Sequence, residues 1–428
     1  MAASPTQDPS QRPAEALAKA PRVRLDYLDT IRFFAALVVV FHHGYGFAIG
    51  NNIAAFPRVF APLYHSMLYA HYAVDVFIVL SGYVLMIPVV RSPGLALSGG
   101  FAGYIRRRAR RILPPYYAAL FLALFILPLT KSESDSWTSG GLFTHLILVH
   151  NLDSAWDSQI NPALWSVATE WQIYFLFPLL LLPLVRRWGV VAAMLVALAL
   201  TVPPYAVWPN FHVAETACPW YLGLFAAGNA AAMLNFSPQP LFQRLRERIP
   251  WRLVLPLIAV LAPITFALVS GGRRHWLNDP LAGFLVAGFL AYFTNHRQLS
   301  RGGPLVAFLE ARPLVKFGGF SYSLYLVHLP ILALLRRFVP HDAFSPTLQF
   351  CLVIPAEIVC AVVASYVFSL AFERPFMSER VPAPRPAAEV ASGSASLTTP
   401  RSVWPGSSAW PPDTRRPWRT RADWRASR

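Results

Sequence analysis

The chain has 428 residues, of which 55% are hydrophobic and only 14% are charged, and its formal net charge is +16. A soluble protein of this size is normally about 25% charged, so the composition excludes an ordinary soluble enzyme. The basic residues lie between apolar segments and in the C-terminal tail, where cytoplasmic loop charge explains them better than nucleic-acid binding. The three cysteines have no metal-ligand spacing, so we expect no disulfide framework and no metal site.

Repeated apolar runs of about 18 residues predict an all-α polytopic membrane protein. We expect about ten transmembrane helices, near residues 28–48, 71–90, 112–130, 166–184, 189–208, 218–234, 252–270, 280–295, 317–338 and 349–371. With the N-terminus in the cytoplasm, most of the 37 basic residues fall in cytoplasmic loops. This asymmetry predicts an even number of spans with both termini in the cytoplasm.

The two ends of the chain carry no such apolar pattern. The N-terminal segment is rich in Ala and Pro and lacks the apolar core of a signal peptide, so we expect no cleaved leader. The C-terminal segment is rich in Pro, Ser, Ala and Arg, which cannot build a packed core. We therefore predict a disordered cytoplasmic arm at 1–24, a transmembrane domain at 25–376 and a disordered cytoplasmic tail at 377–428.

The first predicted helix carries polar side chains inside an apolar run, DTIRFFAALVVVFHHG. Arg32 and His43 lie within about 20° on its surface and about 16 Å apart along its axis, whereas His42 lies about 80° away. An arginine inside hydrocarbon costs about 2.5–3.5 kcal/mol, which a buried partner or a wet cavity normally offsets. We therefore predict a site on this face with His43 as its general base. A histidine that only packs is the alternative.

The second and third segments carry further candidates. Asp75 lies near the predicted outer end of the second helix, where it either caps or pairs structurally or orients His43. Ser81 and Gly82 indicate a close contact between helices. The third segment opens with YIRRRARRILPPYY, and its five arginines are either topology anchors or ligands for the phosphates of a soluble cofactor.

Two later segments combine polar and aromatic residues. In NPALWSVATEWQIYFLFP, Glu170 follows Trp165 and Ser166, and this density favours a functional cavity over a simple helix-dipole contact. In FSYSLYLVHLPIL, Tyr322 and His328 would line a polar seam. His328 is either a helix-packing residue or a ligand contact.

Six ordered blocks within about residues 25–376 resemble the acyltransferase 3 membrane proteins, which acylate sugars, macrolides and other hydroxyl compounds. The blocks read LDTIRFFAALVVVFHH, VDVFIVLSGYVL, RRRARRILPPYY, LWSVATEWQIYFLFP, FGGFSYSLYLVHLPIL and ERPF. The resemblance implies that Arg32 and His43 match the family's first-helix arginine and histidine. It also implies that Arg108 and Arg111 match an R-x-x-R pair that helps to hold acyl-CoA. The chain departs from the pattern by adding His42 and by reading ATEWQ where SVEEQ is common.

The resemblance implies an O-acyltransferase of the inner membrane of a bacterium. It would move an acyl group, in the first instance acetyl, from acyl-CoA to a hydroxyl of a sugar, a polysaccharide precursor or a macrolide-like compound. Acyl-CoA would be a co-substrate, with no permanently bound cofactor, and the other expected contacts are membrane lipids rather than nucleic acid. The expected catalytic residues are Arg32, His43 and Glu170. The expected binding residues are Asp75, Arg108, Arg111, Trp165, Ser166, Tyr322 and His328.

Other interpretations remain open from the sequence. Direct transfer and a relay that carries the acyl group across the bilayer fit equally well. A secondary transporter of a small polar or lipid-linked substrate would also place Arg, His, Asp and Glu inside the membrane, but it would not consume acyl-CoA. A lipid- or partner-binding scaffold would not need His43.

Overall fold

The structure is a computed structural model that describes residues 25–49, 57–63, 70–130, 137–208, 214–269, 275–299, 303–339 and 344–377. The chain divides into two units, Met1–Ser378 and Glu379–Arg428, and every described residue belongs to the first. The predicted arm at 1–24 and, apart from its first residue, the predicted tail at 377–428 lie outside the described residues.

Every regular element in the described part of the chain is helical, which confirms the all-α class. The N-terminal half contains α1 (Asp26–Ile49), α2 (Tyr72–Val90), α3 (Gly100–Thr130), α4 (Ser139–Leu146), α5 (Trp165–Leu176), α6 (Leu182–Trp188), α7 (Val190–Thr201) and α8 (Pro203–Val207). The C-terminal half contains α9 (Tyr221–Phe236), α10 (Pro240–Arg248), α11 (Trp251–Val269), α12 (His275–Leu299), α13 (Pro304–Leu309), α14 (Arg312–Gly318), α15 (Ser321–Phe338), α16 (Pro346–Leu348), α17 (Ile354–Phe372) and α18 (Arg374–Met377). One π-helical turn joins α5 to α6, and another joins α16 to α17.

Five helical stretches among the described residues are long and apolar enough to cross a membrane, and they indicate an integral membrane protein. They are Tyr72–Val90, Gly100–Thr130, Pro162–Trp188, His275–Arg297 and Pro346–Phe372. A sixth is obtained if α14 and α15, which meet at 63°, form one broken span. The predicted count of about ten is therefore not confirmed. The 12-residue α7 reaches only about 18 Å, short of the roughly 30 Å hydrocarbon core, and α1 carries three charged residues.

Small residues bring α2 and α9 into the most extensive helix contact of the bundle. A Cβ atom on Gly82 would overlap the carbonyl oxygen of Phe225, and one on Gly228 would overlap that of Val79. Glycines of this kind let membrane helices approach to backbone contact. The close contact predicted at Gly82 is thus confirmed, whereas Ser81 turns away from α9 to bond Glu170.

The bend between α14 and α15 positions one wall of the candidate site. α14 packs against α1, and a Cβ atom on Gly318 would overlap the backbone of Asp29. α15 then runs along α1, α3 and α17. The polar residues of α15 consequently face those of α1 and α3 rather than lipid.

The loop between α3 and α5 folds back onto the bundle. Asn151 Nδ2 donates to Thr169 Oγ1 at 2.9 Å on α5, and Asn161 Nδ2 donates to the Leu326 carbonyl oxygen at 2.9 Å on α15. Within this loop the buried imidazoles of His145 and His150 stack with ring centroids 3.7 Å apart. The loop therefore attaches to the two helices that carry Glu170 and His328.

Candidate active site

A cavity of about 120 Å³ opens between α1, α2, α3, α5 and α15. Its polar lining consists of Asp29, Arg32, Ser81, Arg108, Arg111, Ser166, Glu170, Tyr174, Ser321, Tyr322, Tyr325 and Glu373. Six of the predicted site residues are in this set, namely Arg32, Arg108, Arg111, Ser166, Glu170 and Tyr322. The structure therefore brings together candidates that come from four separate helices.

Arg32 faces the cavity from α1 and pairs with a carboxylate of the same helix. Its Nη1 donates to Asp29 Oδ1 at 2.9 Å, and its side chain is only 18% exposed. Arg111 lies within electrostatic range of it. Arg32 is thus paired with Asp29, one turn away, whose side chain is 41% exposed and which we had not assigned from the sequence.

Arg108 and Arg111 lie one turn apart on the cavity face of α3. Among the described residues, neither guanidinium forms an ion pair within 4 Å, and the buried Nε of Arg108 has no hydrogen-bond partner. By contrast, Arg106 and Arg110 are exposed on the opposite face of the same helix. The cavity therefore presents two cations whose donors remain available for an anionic ligand.

Glu170 accepts hydrogen bonds from two neighbouring side chains inside the cavity. Tyr174 donates to its Oε1 at 2.6 Å from the next turn of α5, and Ser81 donates to the same oxygen from α2. Arg108 lies within electrostatic range of this carboxylate. The three groups hold Glu170 at a fixed position between α2, α3 and α5.

Ser166 and Tyr322 are fixed by contacts between helices. The hydroxyl groups of Ser166 and Tyr325 share a hydrogen bond of 2.6 Å that joins α5 to α15. Tyr322 donates to the Ile112 carbonyl oxygen at 3.2 Å on α3. Both predicted residues thus help to hold the cavity walls together.

His43 and His328 form a pair next to the cavity rather than part of its lining. His43 Nδ1 lies 2.9 Å from His328 Nε2, and the two rings stack with centroids 5.0 Å apart. The ring of Tyr325, which does line the cavity, lies 6.0 Å from that of His328. The two residues predicted to share one face of α1 therefore lie in adjoining places. Arg32 lines the cavity, and His43 lies beyond Tyr325.

The hydrogen bonds of this pair determine its tautomers. His328 Nδ1 lies 2.8 Å from the Tyr325 carbonyl oxygen and 3.1 Å from that of Leu324. A carbonyl only accepts, so in the neutral ring Nδ1 carries the proton and Nε2 is an acceptor. His43 Nδ1 then donates to that Nε2. The remaining nitrogen of His43, Nε2, is left in its basic form.

Two predicted binding residues lie elsewhere. Asp75 is fully buried and interacts electrostatically with Asp279 and Tyr221, so the structure pairs it with these groups instead of with His43. Trp165 stacks on His71 at 6.0 Å between centroids, with 7° between the ring planes. Neither residue lines the cavity, and helical register in the sequence does not reveal which face of a helix meets which neighbour.

Glu373 is a cavity residue to which we assigned no role from the sequence. It is buried, and it accepts hydrogen bonds from the backbone N–H of Ser323, at 3.1 Å, and from the Ser323 hydroxyl. Arg111 lies within electrostatic range of it. The sequence signal for Glu373 was the terminal ERPF block. It is the last of the six ordered blocks, and earlier blocks supply the other predicted cavity residues.

A bundle of apolar helices around a buried cavity of paired and unpaired arginines and carboxylates is the architecture of a membrane protein with an internal polar site. The chain belongs to the acyltransferase 3 family, since the family model, described as an acyltransferase domain, matches residues 25–373. This confirms the resemblance inferred from the six blocks.

The chain is also similar to two bacterial acetyltransferases. It is 24% identical over 285 residues to O-acetyltransferase OatA of Staphylococcus aureus, covering 62% of this chain and 46% of that protein. It is 24% identical over 342 residues to "Putative peptidoglycan O-acetyltransferase YrhL" of Bacillus subtilis, covering 72% of this chain and 48% of that protein. The matched region spans about half the length of each relative. No solved structure shows a significant match.

Proposed function

We propose that this chain is an acyl-CoA-dependent O-acyltransferase that transfers an acyl group, in the first instance acetyl, to a hydroxyl of a saccharide. The observation that carries the proposal is the convergence of Arg32, Arg108, Arg111 and Glu170 in one cavity of a chain from an acyltransferase family. The saccharide class is supported by the relatives, which are named as O-acetyltransferases, one of them of peptidoglycan.

Arg108 and Arg111 bind the phosphates of the donor in this proposal. Guanidinium groups form short charge-assisted hydrogen bonds to phosphate, often two at a time. Both side chains face the cavity without an ion pair within 4 Å among the described residues. The positive-inside rule puts this end of α3 on the cytoplasmic side, where acyl-CoA would be available.

His43 acts as the general base, through Nε2. The hydroxyl oxygen of the acceptor attacks the thioester carbonyl as its proton passes to this nitrogen. Collapse of the tetrahedral intermediate breaks the C–S bond. His43 then returns the proton to the CoA thiolate, which leaves as a free thiol. Arg32 lies in the cavity, about 16 Å from His43 along α1, and neutralises negative charge on the donor side of the thioester. Glu170 holds the adjoining helices and the Arg108 guanidinium in place.

The proposal is tested with purified protein in lipid nanodiscs, acetyl-CoA carrying a radiolabelled acetyl group and cell-wall saccharides as acceptors. We expect a labelled ester and one free CoA thiol for each ester formed. His43→Ala protein at the same concentration should form little of either. Intact acetyl-CoA with every acceptor would contradict an acyltransferase. In a parallel reconstitution into closed lipid vesicles, accumulation of unmodified substrate inside the vesicles would instead support the transporter.

A further inference from the structure

Three side chains of the kind that bind metals converge at one end of α2 and α12, outside the cavity. His71 immediately precedes α2, and His275 and Asp279 lie one turn apart at the start of α12. Their ligand atoms all lie within 4.8 Å of one another. His71 Nε2 is 3.1 Å from Asp279 Oδ2, and His275 Nδ1 is 3.8 Å from Asp279 Oδ1. Ligands on a tetrahedral zinc ion with bonds of about 2.1 Å are about 3.4 Å apart, so the spacing suits one ion.

Two buried carboxylates lie close together at this place. Asp75 and Asp279 are fully buried and interact electrostatically with each other. Asp279 Oδ1 and both oxygens of Asp75 have no hydrogen-bond partner of normal geometry in the described part of the chain. Two buried carboxylates close together destabilise each other's charged forms. A bound divalent cation would neutralise this charge.

Neighbouring groups orient two of the three side chains, Asp279 and His71, as they do around metal ions. Trp220 Nε1 donates to Asp279 Oδ2 at 2.7 Å, which fixes the carboxylate. The indole of Trp165 stacks on the His71 ring and fixes its plane. Partners of this kind set ligand orientation and are a regular part of metal sites.

We propose that His71, His275 and Asp279 bind a divalent transition-metal ion, with zinc as the first candidate. Two imidazoles and one carboxylate form a ligand set that zinc accepts, with a fourth position for water. The side chains of His71 and His275 are 25% and 45% exposed, so an ion can reach them. Cysteine spacing gave no sign of this site because its ligands are imidazole and carboxylate groups that lie far apart in the chain.

The proposed ion joins elements that otherwise meet through side-chain packing. It links the start of α2 to α12, while Trp220 and Trp165 connect it to the start of α9 and of α5. α5 carries Glu170 into the cavity, so the ion would stabilise the bundle around the site without contacting substrate. The proposed metal site does not depend on the proposed acyl transfer. It is tested by measuring metal binding.

The test uses full-length protein in detergent, freed of any affinity tag and stripped with a chelator. The protein is equilibrated with Zn²⁺, desalted and analysed for metal by mass spectrometry. Wild-type protein should retain a single equivalent. His275→Ala, which removes the most exposed ligand and so disturbs packing least, should bind more than about tenfold more weakly, because even loss of an outer-shell partner costs 10–100-fold.

His296→Ala is the matched control, because His296 lies on the same helix outside the cluster. It should retain zinc as the wild type does. Co²⁺ added in place of zinc should give visible absorption bands with wild type and the control but not with His275→Ala. Size-exclusion profiles confirm that all three proteins are folded. Equal metal retention by wild type and His275→Ala, or none by either, would overturn the proposal.

Discussion

At the scale of single residues, the proposed chemistry depends on which nitrogen of His43 holds a proton. Two backbone carbonyl oxygens of α15 accept a hydrogen bond from Nδ1 of His328, which places the proton of the neutral ring there. Nε2 of His328 in turn accepts a hydrogen bond from Nδ1 of His43. His43 is thereby supplied with a basic Nε2. His42 is its sequence neighbour, and the two rings lie at 63° to each other with centroids 5.0 Å apart. The two histidines consequently have different expected roles.

We predict that His43→Ala lowers the rate of acyl transfer by a factor of roughly 10² to 10⁴, as loss of a general base does. His42→Ala should retain much more activity, because His42 lies about 80° away from the face of α1 that carries His43. Initial rates are compared at equal amounts of membrane-inserted protein. An active His43→Ala enzyme beside an inactive His42→Ala enzyme would contradict the assignment of the base.

His328 provides a second residue-scale prediction. His328→Phe removes one hydrogen-bond acceptor of His43 and should raise the activation free energy by about 0.5–1.5 kcal/mol, the usual contribution of one hydrogen bond. His328→Gln offers a side-chain oxygen in its place and should recover part of the loss. The Michaelis constant for acyl-CoA should stay the same in both variants. If the two variants are equally impaired, His328 has a packing role instead.

The sequence predicted individual polar residues better than their partners. Arg32 and Glu170 could be found because charge inside an apolar run requires an explanation. Asp29 and Ser81 were not assigned to them, because an acidic residue at a helix start and a serine beside a glycine have common structural roles. The sequence left a structural pairing of Asp75 and a contact with His43 both open, since only tertiary packing brings Asp75 to Asp279.

At the scale of elements, the loop between α3 and α5 contains a group that responds to acid. Burial lowers the pKa of His150 to about 3, with the neighbouring His145 as a smaller cause, and burial also lowers the pKa of His145. A histidine in the unfolded chain has a pKa of about 6.5. Between these values the unfolded state binds more protons, so folding becomes less favourable as the pH falls from about 6.5 towards 3.

We predict that His150→Phe, which keeps an aromatic ring against His145 but cannot be protonated, reduces this acid sensitivity. One such group contributes at most about 1.4 kcal/mol per pH unit to the slope. Melting temperatures in detergent at pH 5 to 8 should fall less towards pH 5 in the variant than in the wild type. His296→Phe is the control and should follow the wild type. Parallel profiles for His150→Phe and wild type would show that the stack does not titrate on unfolding.

Helix existence was predictable, while helix length and bending were not. Hydropathy located α2 and α3 because each presents a long apolar run. The 63° bend between α14 and α15 comes at Gly318, whose contact with the backbone of Asp29 is a tertiary feature. Hydropathy averaged over a long apolar segment does not reveal such a break in the helix.

At the scale of the whole molecule, the arrangement of basic loops predicts the orientation in the membrane. Reporter fusions after Arg187 and after Arg248 should both report the cytoplasm, and a fusion near Asp153 should report the outside, because the basic loops favour the cytoplasmic side. The prediction holds for any even number of spans before each fusion point. An outside signal at Arg187 would overturn the orientation and place the arginines of α3 on the wrong side for acyl-CoA.

Fold class and family follow from the sequence because they depend on composition and on ordered blocks of residues. The number of membrane crossings does not follow from the sequence, because it depends on how short apolar helices such as α7 are placed within the bundle. The cavity itself depends on which helices become neighbours. Its existence was inferred from the cost of intramembrane charge, and its walls were defined only by the packing of α1, α3, α5 and α15.

The central claim is that the cavity binds acyl-CoA through two arginines of α3. The most direct measurement is the dissociation constant for acetyl-CoA of two double variants. Arg108→Ala with Arg111→Ala should bind at least about tenfold more weakly than wild type, since hydrogen bonds to charged groups contribute roughly 1.5–3 kcal/mol each. Arg106→Ala with Arg110→Ala removes the same charge from the exposed face of the same helix and should bind like wild type. Equal weakening by both pairs, or by neither, would contradict the claim.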